Sequence, residues 1–234
     1  MYNENSYKKL KMAYGMILDV LRENTNDEAA RENFTGSEDR CVRALMETCK
    51  TDDEITQELS KIINRQFPMG SNATNHQNVM SLNKAGIICQ GPITVNSSCP
   101  HHLYPVRYEA YVAYIPKDGN VLGLSKLARI AKILGKRPVL QEQLAADIAD
   151  VLCAPMEDTG NMDGTLTRLP FRFPALESDG SAVLLVGVHN CMCHRGVEEN
   201  AKTMVCELRG SFLNDGMEQK FYSLVKSGRV GSPY

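Results

Sequence analysis

The chain has 234 residues, and its 26 lysines and arginines against 28 aspartates and glutamates give a formal net charge of −2. This balance excludes a strongly basic nucleic-acid-binding protein and a protein with an acidic tail. The length fits one domain with an appendage or two small domains. No apolar run reaches the roughly 20 residues that span a bilayer, and the polar N-terminus lacks the apolar core of a signal peptide. We therefore expect a cytoplasmic protein with no membrane or nucleic-acid partner and with reduced cysteines.

Residues 1–75 are predicted to form an N-terminal helical region. Apolar residues recur at helical spacing in the first segment, at Tyr7, Leu10, Tyr14, Ile17, Leu18 and Leu21. A second helix is predicted from Arg40 to Cys49, and Thr51-Asp-Asp-Glu54 is a capping box that opens a third helix. The region contains no catalytic pattern, which indicates a structural appendage.

Residues 76–234 are predicted to form a second domain that contains strands. Tyr108 to Ile115 is rich in aromatic and β-branched residues and predicts a strand that ends at Pro116, whereas Ser71 to Gly91 is typical of a loop with weak strands. Ala182 to Val188 predicts a buried strand. Between these strands the chain does not follow a regular strand–helix alternation, so the predicted class is α+β.

Two helices are predicted in the middle of this domain. The first runs from Ser125 to Leu134 and stops at Gly135. The second is expected to begin at Pro138, because proline favours the first turn of a helix, and to end near Leu152. Residues 153–181 are rich in glycine and proline and predict an inserted surface loop.

Histidine and cysteine occur together in two short clusters. One is Cys99-Pro-His101-His102, and the other is His189-Asn-Cys191-Met-Cys193-His194. Together the clusters hold four of the five histidines. The five cysteines outside the clusters are interpreted as small buried hydrophobic residues.

These clusters predict a zinc site, because zinc takes thiolate and imidazole ligands and catalytic sites use three of them. Cys99 and His102 are three residues apart, and Cys191 could supply the third ligand if the strand from Ala182 continues through the second cluster. His101 and His189 would then remain as free imidazoles for proton transfer near neutral pH. A closed structural site, with Cys193 or His194 as the fourth ligand, is an open alternative.

The segment from Ser125 to Arg129 predicts an anion site. If Ser125 caps the helix, Lys126 and Arg129 share a face near free backbone N–H groups, an arrangement that could hold a phosphate. A solvated helix face is the alternative interpretation. Glu142, beside Gln141, opens the next helix and could accept hydrogen bonds from a guanine edge, although helix capping alone could also explain its position.

Five segments carry a resemblance to a known family. They are Ser97-Ser-Cys-Pro-His-His-Leu-Tyr-Pro105, Val112-Ala-Tyr-Ile-Pro116, Gly123-Leu-Ser-Lys-Leu-Ala-Arg-Ile130, Lys136-Arg-Pro-Val-Leu-Gln-Glu142 and Val188-His-Asn-Cys-Met-Cys-His-Arg-Gly196. In this order the segments resemble GTP cyclohydrolase I of the zinc-dependent type. The resemblance implies the tunnelling fold, an antiparallel sheet with two helices on one face, and hydrolysis and rearrangement of GTP to 7,8-dihydroneopterin triphosphate and formate.

The resemblance also implies roles for individual residues. Cys99, His102 and Cys191 would bind Zn²⁺, whose bound water would attack guanine C8. Proton transfers would fall to His189 and His101, and ribose opening would be assisted by Ser125. The expected substrate contacts are Gln141 and Glu142 for guanine, and Lys126, Arg129 and Arg195 for the triphosphate. The family forms homodecamers with sites between subunits.

The chain departs from the family pattern at several positions. Pro100 stands where the family usually has glutamate, Gly91-Pro-Ile93 replaces an Arg-Asp-Ile sequence, and Tyr108 and Tyr111 replace glycine and histidine. The alternatives are therefore a non-catalytic zinc-binding paralogue and an enzyme acting on a related purine nucleotide. The product of an active enzyme would feed folate, biopterin or 7-deazaguanine synthesis.

Overall fold

The structure is a computed structural model that describes residues 2–68, 86–117, 119–154 and 173–230. Its internal contacts divide the chain into two compact units, residues 1–54 and 55–234. The predicted boundary at residues 75 and 76, and most of the predicted insertion at 153–181, lie outside the described residues. Within those ranges, no helix combines the length and apolar character needed to cross a membrane.

The first unit is helical, as predicted. Its helices are α1 (Glu4–Glu23), α2 (Glu28–Glu32) and α3 (Ser37–Thr48), followed by the start of α4 (Asp52–Ile63). Helices α1 and α3 are joined at Asp39, which accepts a hydrogen bond from the Tyr7 hydroxyl at 2.6 Å and pairs with Lys11 at 2.7 Å. The predicted apolar stripe of α1 is only partly buried, because Ile17 and Leu21 remain 55% and 45% exposed.

The predicted capping box at the start of α4 is confirmed. The backbone N–H of Thr51 donates to a Glu54 carboxylate oxygen at 3.1 Å, and the N–H of Glu54 donates to the Thr51 hydroxyl at 3.3 Å. These reciprocal bonds satisfy backbone donors that have no partner inside the helix. Four apolar residues of α4 are buried, namely Ile55, Leu59, Ile62 and Ile63.

The second unit contains a four-stranded antiparallel sheet in the order β2-β3-β5-β6. The strands are β2 (Ile88–Ser98), β3 (Pro105–Pro116), β5 (Ser178–His189) and β6 (Thr203–Gly210), while β1 (Gln66–Pro68) pairs separately with β4 (Asn120–Leu122). The predicted end of a strand at Pro116 is confirmed, and the strand predicted at 182–188 forms the centre of β5. Strand β6 was not predicted.

Helices α5 (Ser125–Gly135) and α6 (Gln141–Leu152) pack against the sheet and form the main core with it. The α+β class and the tunnelling-fold arrangement are therefore confirmed. Gly135 allows close packing, because a Cβ atom there would lie 2.5 Å from Val95 Cγ1 and 2.9 Å from the Asn96 carbonyl oxygen. A second cluster of buried residues, including Phe212 and Phe221, packs α8 (Asp215–Val230) into the unit. Helix α8 was also not predicted.

The first central helix begins at Ser125 as predicted, but the expected beginning of the second helix was wrong. Helix α6 begins at Gln141 rather than Pro138, because the preceding stretch is held extended by tertiary hydrogen bonds. The backbone N–H of Val139 donates to the Ser98 carbonyl oxygen, and the Ser97 hydroxyl donates to the Arg137 carbonyl oxygen, each at 3.1 Å. Helix α5 begins at Ser125 itself, with Leu124 before it, so Ser125 is not the capping residue.

Candidate functional site

The first Cys/His cluster lies in the loop that joins β2 to β3. Two backbone hydrogen bonds close this loop, from Leu103 N–H to the Cys99 carbonyl oxygen and from Cys99 N–H to the Tyr104 carbonyl oxygen, both at 2.8 Å. Leu103 has a φ of 56°, in the left-handed region, which allows the tight reversal. The loop therefore presents Cys99, His101 and His102 together, and Cys99 itself is buried.

The second cluster begins at the last residue of β5, His189, and continues as a single helical turn, α7 (Asn190–Cys193). The expectation that the strand would continue was wrong. His189 pairs with Val106 next to the start of β3, so the chain beyond it has no strand to pair with. The turn is closed by a hydrogen bond from His194 N–H to the Asn190 carbonyl oxygen at 3.0 Å. Cys191 is thus carried into the site by a helical turn.

The two clusters meet at Cys99, His102 and Cys191, whose ligand atoms all lie within 4.8 Å of one another. The Cys99 Sγ atom is 3.6 Å from His102 Nδ1. In a tetrahedral zinc site, neighbouring ligand atoms are separated by about 3.3–3.8 Å, so small side-chain shifts would fit these three donors to an ion. The residues could therefore hold a metal ion and leave a fourth position free.

The Cys191 thiol has a raised pKa in the absence of a metal. Burial is the main cause, and the neighbouring Cys99 thiol adds to it, while the charge of Arg195 opposes it. A metal ion binds the thiolate form of cysteine, so metal binding at this site would release protons. The donor set fits a cation that compensates two thiolates.

These ligand residues line a cavity of about 510 Å³. The start of α6 forms one wall and the second cluster forms another. Among the predicted site residues the cavity contacts Cys99, His101, His102, Gln141, Glu142, His189 and Cys191. The structure thus brings together the predicted metal ligands, the two imidazoles and the predicted guanine-binding pair.

His189 lines the cavity and contacts the side chain of Gln141. Its Nε2 atom is 2.9 Å from Gln141 Oε1, and the ring of Tyr108 contacts the imidazole edge-on, with 5.7 Å between ring centroids. Burial lowers the pKa of His189, and the charge of Glu142 partly opposes that shift. Burial therefore favours the neutral imidazole.

The predicted phosphate-binding residues are not found in this cavity. Among the residues that the structure describes, its lining does not include Ser125, Lys126, Arg129 or Arg195. The Lys126 ammonium is directed instead at the end of α4, where it donates to the carbonyl oxygen of Ile62 at 2.7 Å and to that of Arg65. It also lies 5.7 Å from the centre of the Phe67 ring. Burial lowers the pKa of this ammonium group.

Two residues at the site were not assigned a role from the sequence. Thr203, the first residue of β6, donates a hydrogen bond from its hydroxyl to Gln141 Oε1 at 2.5 Å. Tyr108 is fully buried, and within the described part of the chain its hydroxyl has no hydrogen-bond partner. The replacement of a glycine by Tyr108 was the one sequence signal that could have drawn attention to it.

Comparison with known proteins identifies relatives across most of the chain. The model of the family described as GTP cyclohydrolase I matches residues 13–162. A GTP cyclohydrolase 1 of Thermoanaerobacter pseudethanolicus is 33% identical over 222 residues, which are 94% of this chain and 97% of the relative. That of a Streptococcus agalactiae strain is 31% identical over 94% of this chain and 98% of its own.

A solved structure of an archaeosine synthase described as QueF-like, in its apo form, covers 53% of this chain and 94% of its own. The TM-score is 0.33 and the sequence identity 16%. This likeness is too low to bear on the fold or function of the chain.

Proposed function

This chain belongs to the GTP cyclohydrolase I family, and we propose that it converts GTP and water to 7,8-dihydroneopterin triphosphate and formate. The observation that carries the proposal is the meeting of Cys99, His102 and Cys191 within 4.8 Å, in the cavity that Glu142 and His189 also line. A metal-assisted hydrolysis beside a carboxylate and two imidazoles is the chemistry this arrangement supports.

The metal in this proposal is Zn²⁺, held by Cys99, His102 and Cys191. Two thiolates and one imidazole are a donor set that zinc prefers and that magnesium or calcium does not. When bound, zinc supplies the Lewis acidity that makes a nucleophile of water near neutral pH. The cytoplasm, our proposed location, is reducing and would keep both thiols available.

Proton transfer is assigned to the two histidines that are not ligands. His189 would exchange a proton with the imidazole ring of guanine as C8 is attacked and the ring opens. His101, in the loop beside the ligand His102, would serve the later proton transfers. General acid–base groups of this kind typically contribute about 10²- to 10⁴-fold to the rate.

Guanine would be anchored at the start of α6. Glu142 lies in the first turn of that helix, where a carboxylate interacts favourably with the helix dipole. A carboxylate accepts two parallel hydrogen bonds, which matches the N1–H and amino group at the edge of guanine. Gln141 lies beside Glu142 in the same wall, but its amide is bonded to Leu185, Thr203 and His189, so the hydrogen bonds to guanine would come from Glu142.

The triphosphate would be bound by residues of a second copy of the chain. Ser125, Lys126 and Arg129 lie on α5, outside the lining of the metal-site cavity. A site completed between subunits would join the cavity of one copy to these residues of the next, with Arg195 beside the second cluster. Ser125 would then be positioned to assist ribose opening. We propose the homodecamer as the assembly that creates these shared sites.

The test is formate release from GTP by zinc-loaded protein, with the pterin product followed by fluorescence after oxidation. Formation of both products is the expected result. Formate without pterin would mean that C8 hydrolysis occurs without the ribose rearrangement. If neither appears while zinc is bound, the proposal is wrong, and assays with dGTP and other purine nucleotides separate an altered substrate from a non-catalytic paralogue.

The proposal that two copies share each site is tested by mixing two variants with different defects and assaying them at a GTP concentration where each alone has little activity. Cys191→Ala lacks a proposed metal ligand and Arg129→Ala lacks a proposed phosphate contact. Dissociation and joint reassembly of the two variants would create some sites with neither defect, so partial activity is expected to return. Hybrid oligomers with no activity would contradict sites built from two copies.

A further inference from the structure

The side-chain amide of Gln141 has hydrogen-bond partners on both of its ends. Its Nε2 atom donates to the carbonyl oxygens of Leu185 at 3.1 Å and Thr203 at 3.2 Å. Its Oε1 atom lies 2.9 Å from His189 Nε2 and 2.5 Å from the Thr203 hydroxyl. The residue is 4% exposed. All four hydrogen-bonding positions of this buried amide are therefore used within the protein.

The two backbone carbonyls determine which way the amide points. A carbonyl oxygen can only accept, so the amide nitrogen must face Leu185 and Thr203. Turning the amide over would place its own oxygen against both carbonyl oxygens, and both hydrogen bonds, including the buried one to Leu185, would be lost. The oxygen of Gln141 must therefore face His189.

This orientation determines the proton position on the imidazole. The Gln141 oxygen cannot donate, so the Nε2 atom of His189 must carry a hydrogen in order to bond with it. In the neutral ring the second nitrogen, Nδ1, then carries the lone pair. Within the described ranges Nδ1 has no hydrogen-bond partner, and His189 lines the cavity.

We infer that Gln141 is a positioning residue that holds His189 as the Nε2–H tautomer, so that Nδ1 is the nitrogen that exchanges protons with the substrate. The inference rests on the proposed function, since only a substrate in the cavity makes use of Nδ1. Gln141 accepts from the Nε2–H of both the neutral and the charged ring, so it holds the ring through a proton-transfer cycle.

The neighbouring residues are arranged to permit this bond. A Cβ atom at position 187 would lie 3.0 Å from Gln141 Oε1 and 2.6 Å from Tyr108 Cε1, so only glycine leaves room for both side chains. The Tyr108 ring packs against the imidazole in a T-shaped arrangement, with an angle of 79° between the ring planes. A second donor, the Thr203 hydroxyl, helps to keep the amide oxygen in place.

The test is ¹⁵N solid-state NMR of zinc-loaded protein labelled at its histidines, of which the sequence has five. A spectrum of His189→Asn identifies the signals of His189 by difference. The expected result in the wild type is a neutral ring protonated at Nε2. A ring protonated at Nδ1, or an even mixture of tautomers, overturns the inference whether or not the protein turns over GTP.

A matched pair of variants tests the role of the amide. Gln141→Met removes the acceptor, and we expect loss of the single tautomer and a ten- to hundredfold fall in kcat with KM for GTP changed less than threefold. Gln143→Met removes an amide from the same helix that bonds to Asp147 instead, and should leave both the tautomer and kcat unchanged. A Gln141→Met variant with raised KM and unchanged kcat would show that this side chain binds guanine rather than positioning His189.

The formate assay and the NMR experiment can give negative results independently of each other. If the wild type releases no formate from GTP but its His189 is protonated at Nε2, the proposed function is wrong and the positioning of the ring stands. If formate is released and the tautomer differs, the function stands and Gln141 does not set the proton position.

Discussion

The guanidinium of Arg137 and the carboxylate of Asp147 form an ion pair in which each side chain is only 10% exposed. Arg137 also donates from Nε to the carbonyl oxygen of Leu134 at 3.1 Å, so it links the end of α5 to the middle of α6. Its own carbonyl oxygen accepts from Ser97, two residues before Cys99. The pair therefore holds the stretch that leads to Gln141 against the strand that leads to the metal site.

Removal of one member of this pair should strongly destabilise the protein. Arg137→Met leaves the Asp147 carboxylate buried without its cation, and the free energy of unfolding should fall by about 3–5 kcal/mol. Urea denaturation followed by circular dichroism, at one protein concentration, measures this change. The control is Asp19→Asn, which breaks the more exposed pair with Arg22 and should cost less than about 1 kcal/mol. Equal losses in the two variants would contradict the assigned importance of the buried pair.

Metal content should depend on one cysteine of the second cluster and not on its neighbour. Cys191→Ala should lose the bound metal, since two donors remain in place of three. Cys193→Ala should keep it, because the Cys193 thiol is directed at the Asn200 side chain, 3.6 Å away, and is not part of the cluster of ligand atoms. Metal per chain is measured by inductively coupled plasma mass spectrometry. Metal retained by Cys191→Ala and lost by Cys193→Ala would reverse the ligand assignment.

Substitution of His189 should greatly reduce catalysis without affecting metal binding. His189→Ala leaves all three proposed ligands in place, so the metal content should remain that of the wild type. Formate release should fall at least about a hundredfold, because a general acid–base group has been removed. Both quantities are measured on one preparation. Loss of metal in this variant would mean that His189 is a ligand and not a proton-transfer group.

Substitutions of Lys126 and Arg129 should differ in their effect on stability, although both residues are predicted to bind the triphosphate. Lys126→Met removes donors to the carbonyl oxygens at the end of α4, and should lower the free energy of unfolding by about 1–3 kcal/mol as well as raise KM for GTP. Arg129→Met should raise KM with little change in stability. Steady-state kinetics and urea denaturation of both variants test this. An Lys126→Met protein with reduced stability and wild-type KM would limit Lys126 to a structural role.

The capping box at α4 should make stability depend on pH. Hydrogen bonds from the backbone and hydroxyl of Thr51 lower the pKa of Glu54 in the folded state. Such a carboxylate stabilises the fold at pH values above its unfolded pKa, and the contribution disappears as the pH falls through the lower folded value. Glu54→Ala should therefore cost about 1 kcal/mol at pH 7 and progressively less on acidification.

Urea denaturation at a series of pH values gives the difference between the wild type and Glu54→Ala. The control is Glu47→Ala, which removes an exposed glutamate of α3. Glu47→Ala should change the free energy of unfolding only slightly, and this change should not decrease as the pH falls. A cost for Glu54→Ala that stayed constant down to the lowest pH would contradict a role for the ionised carboxylate.

Local patterns in the sequence predicted the elements that depend on neighbouring residues. The capping box of Thr51 and Glu54 is complete within four positions, and the strand ending at Pro116 is marked by its own composition. The metal-ligand residues were found because cysteine and histidine are scarce and occur here in two dense clusters. These signals need no knowledge of the tertiary structure.

The features that the sequence analysis did not predict depend on tertiary contacts. A proline at position 138 favours a helix start, but hydrogen bonds to Ser97 and Ser98 keep that stretch extended. The strand through Val188 stops at His189 because its partner strand begins at Pro105. The contacts of Gln141 with Thr203 and His189 span 62 and 48 residues of the sequence. No local pattern encodes them.

The four hydrogen bonds of Gln141 limit which residues can replace it during evolution. Glutamate lacks the two donors, leucine and methionine lack every polar atom, and asparagine is one methylene too short to reach the same partners. Position 143, on the same helix, makes a single bond at a partly buried site and carries no such restriction. A complete set of substitutions, scored by growth of cells that depend on the enzyme, should retain many variants at 143 and almost none at 141.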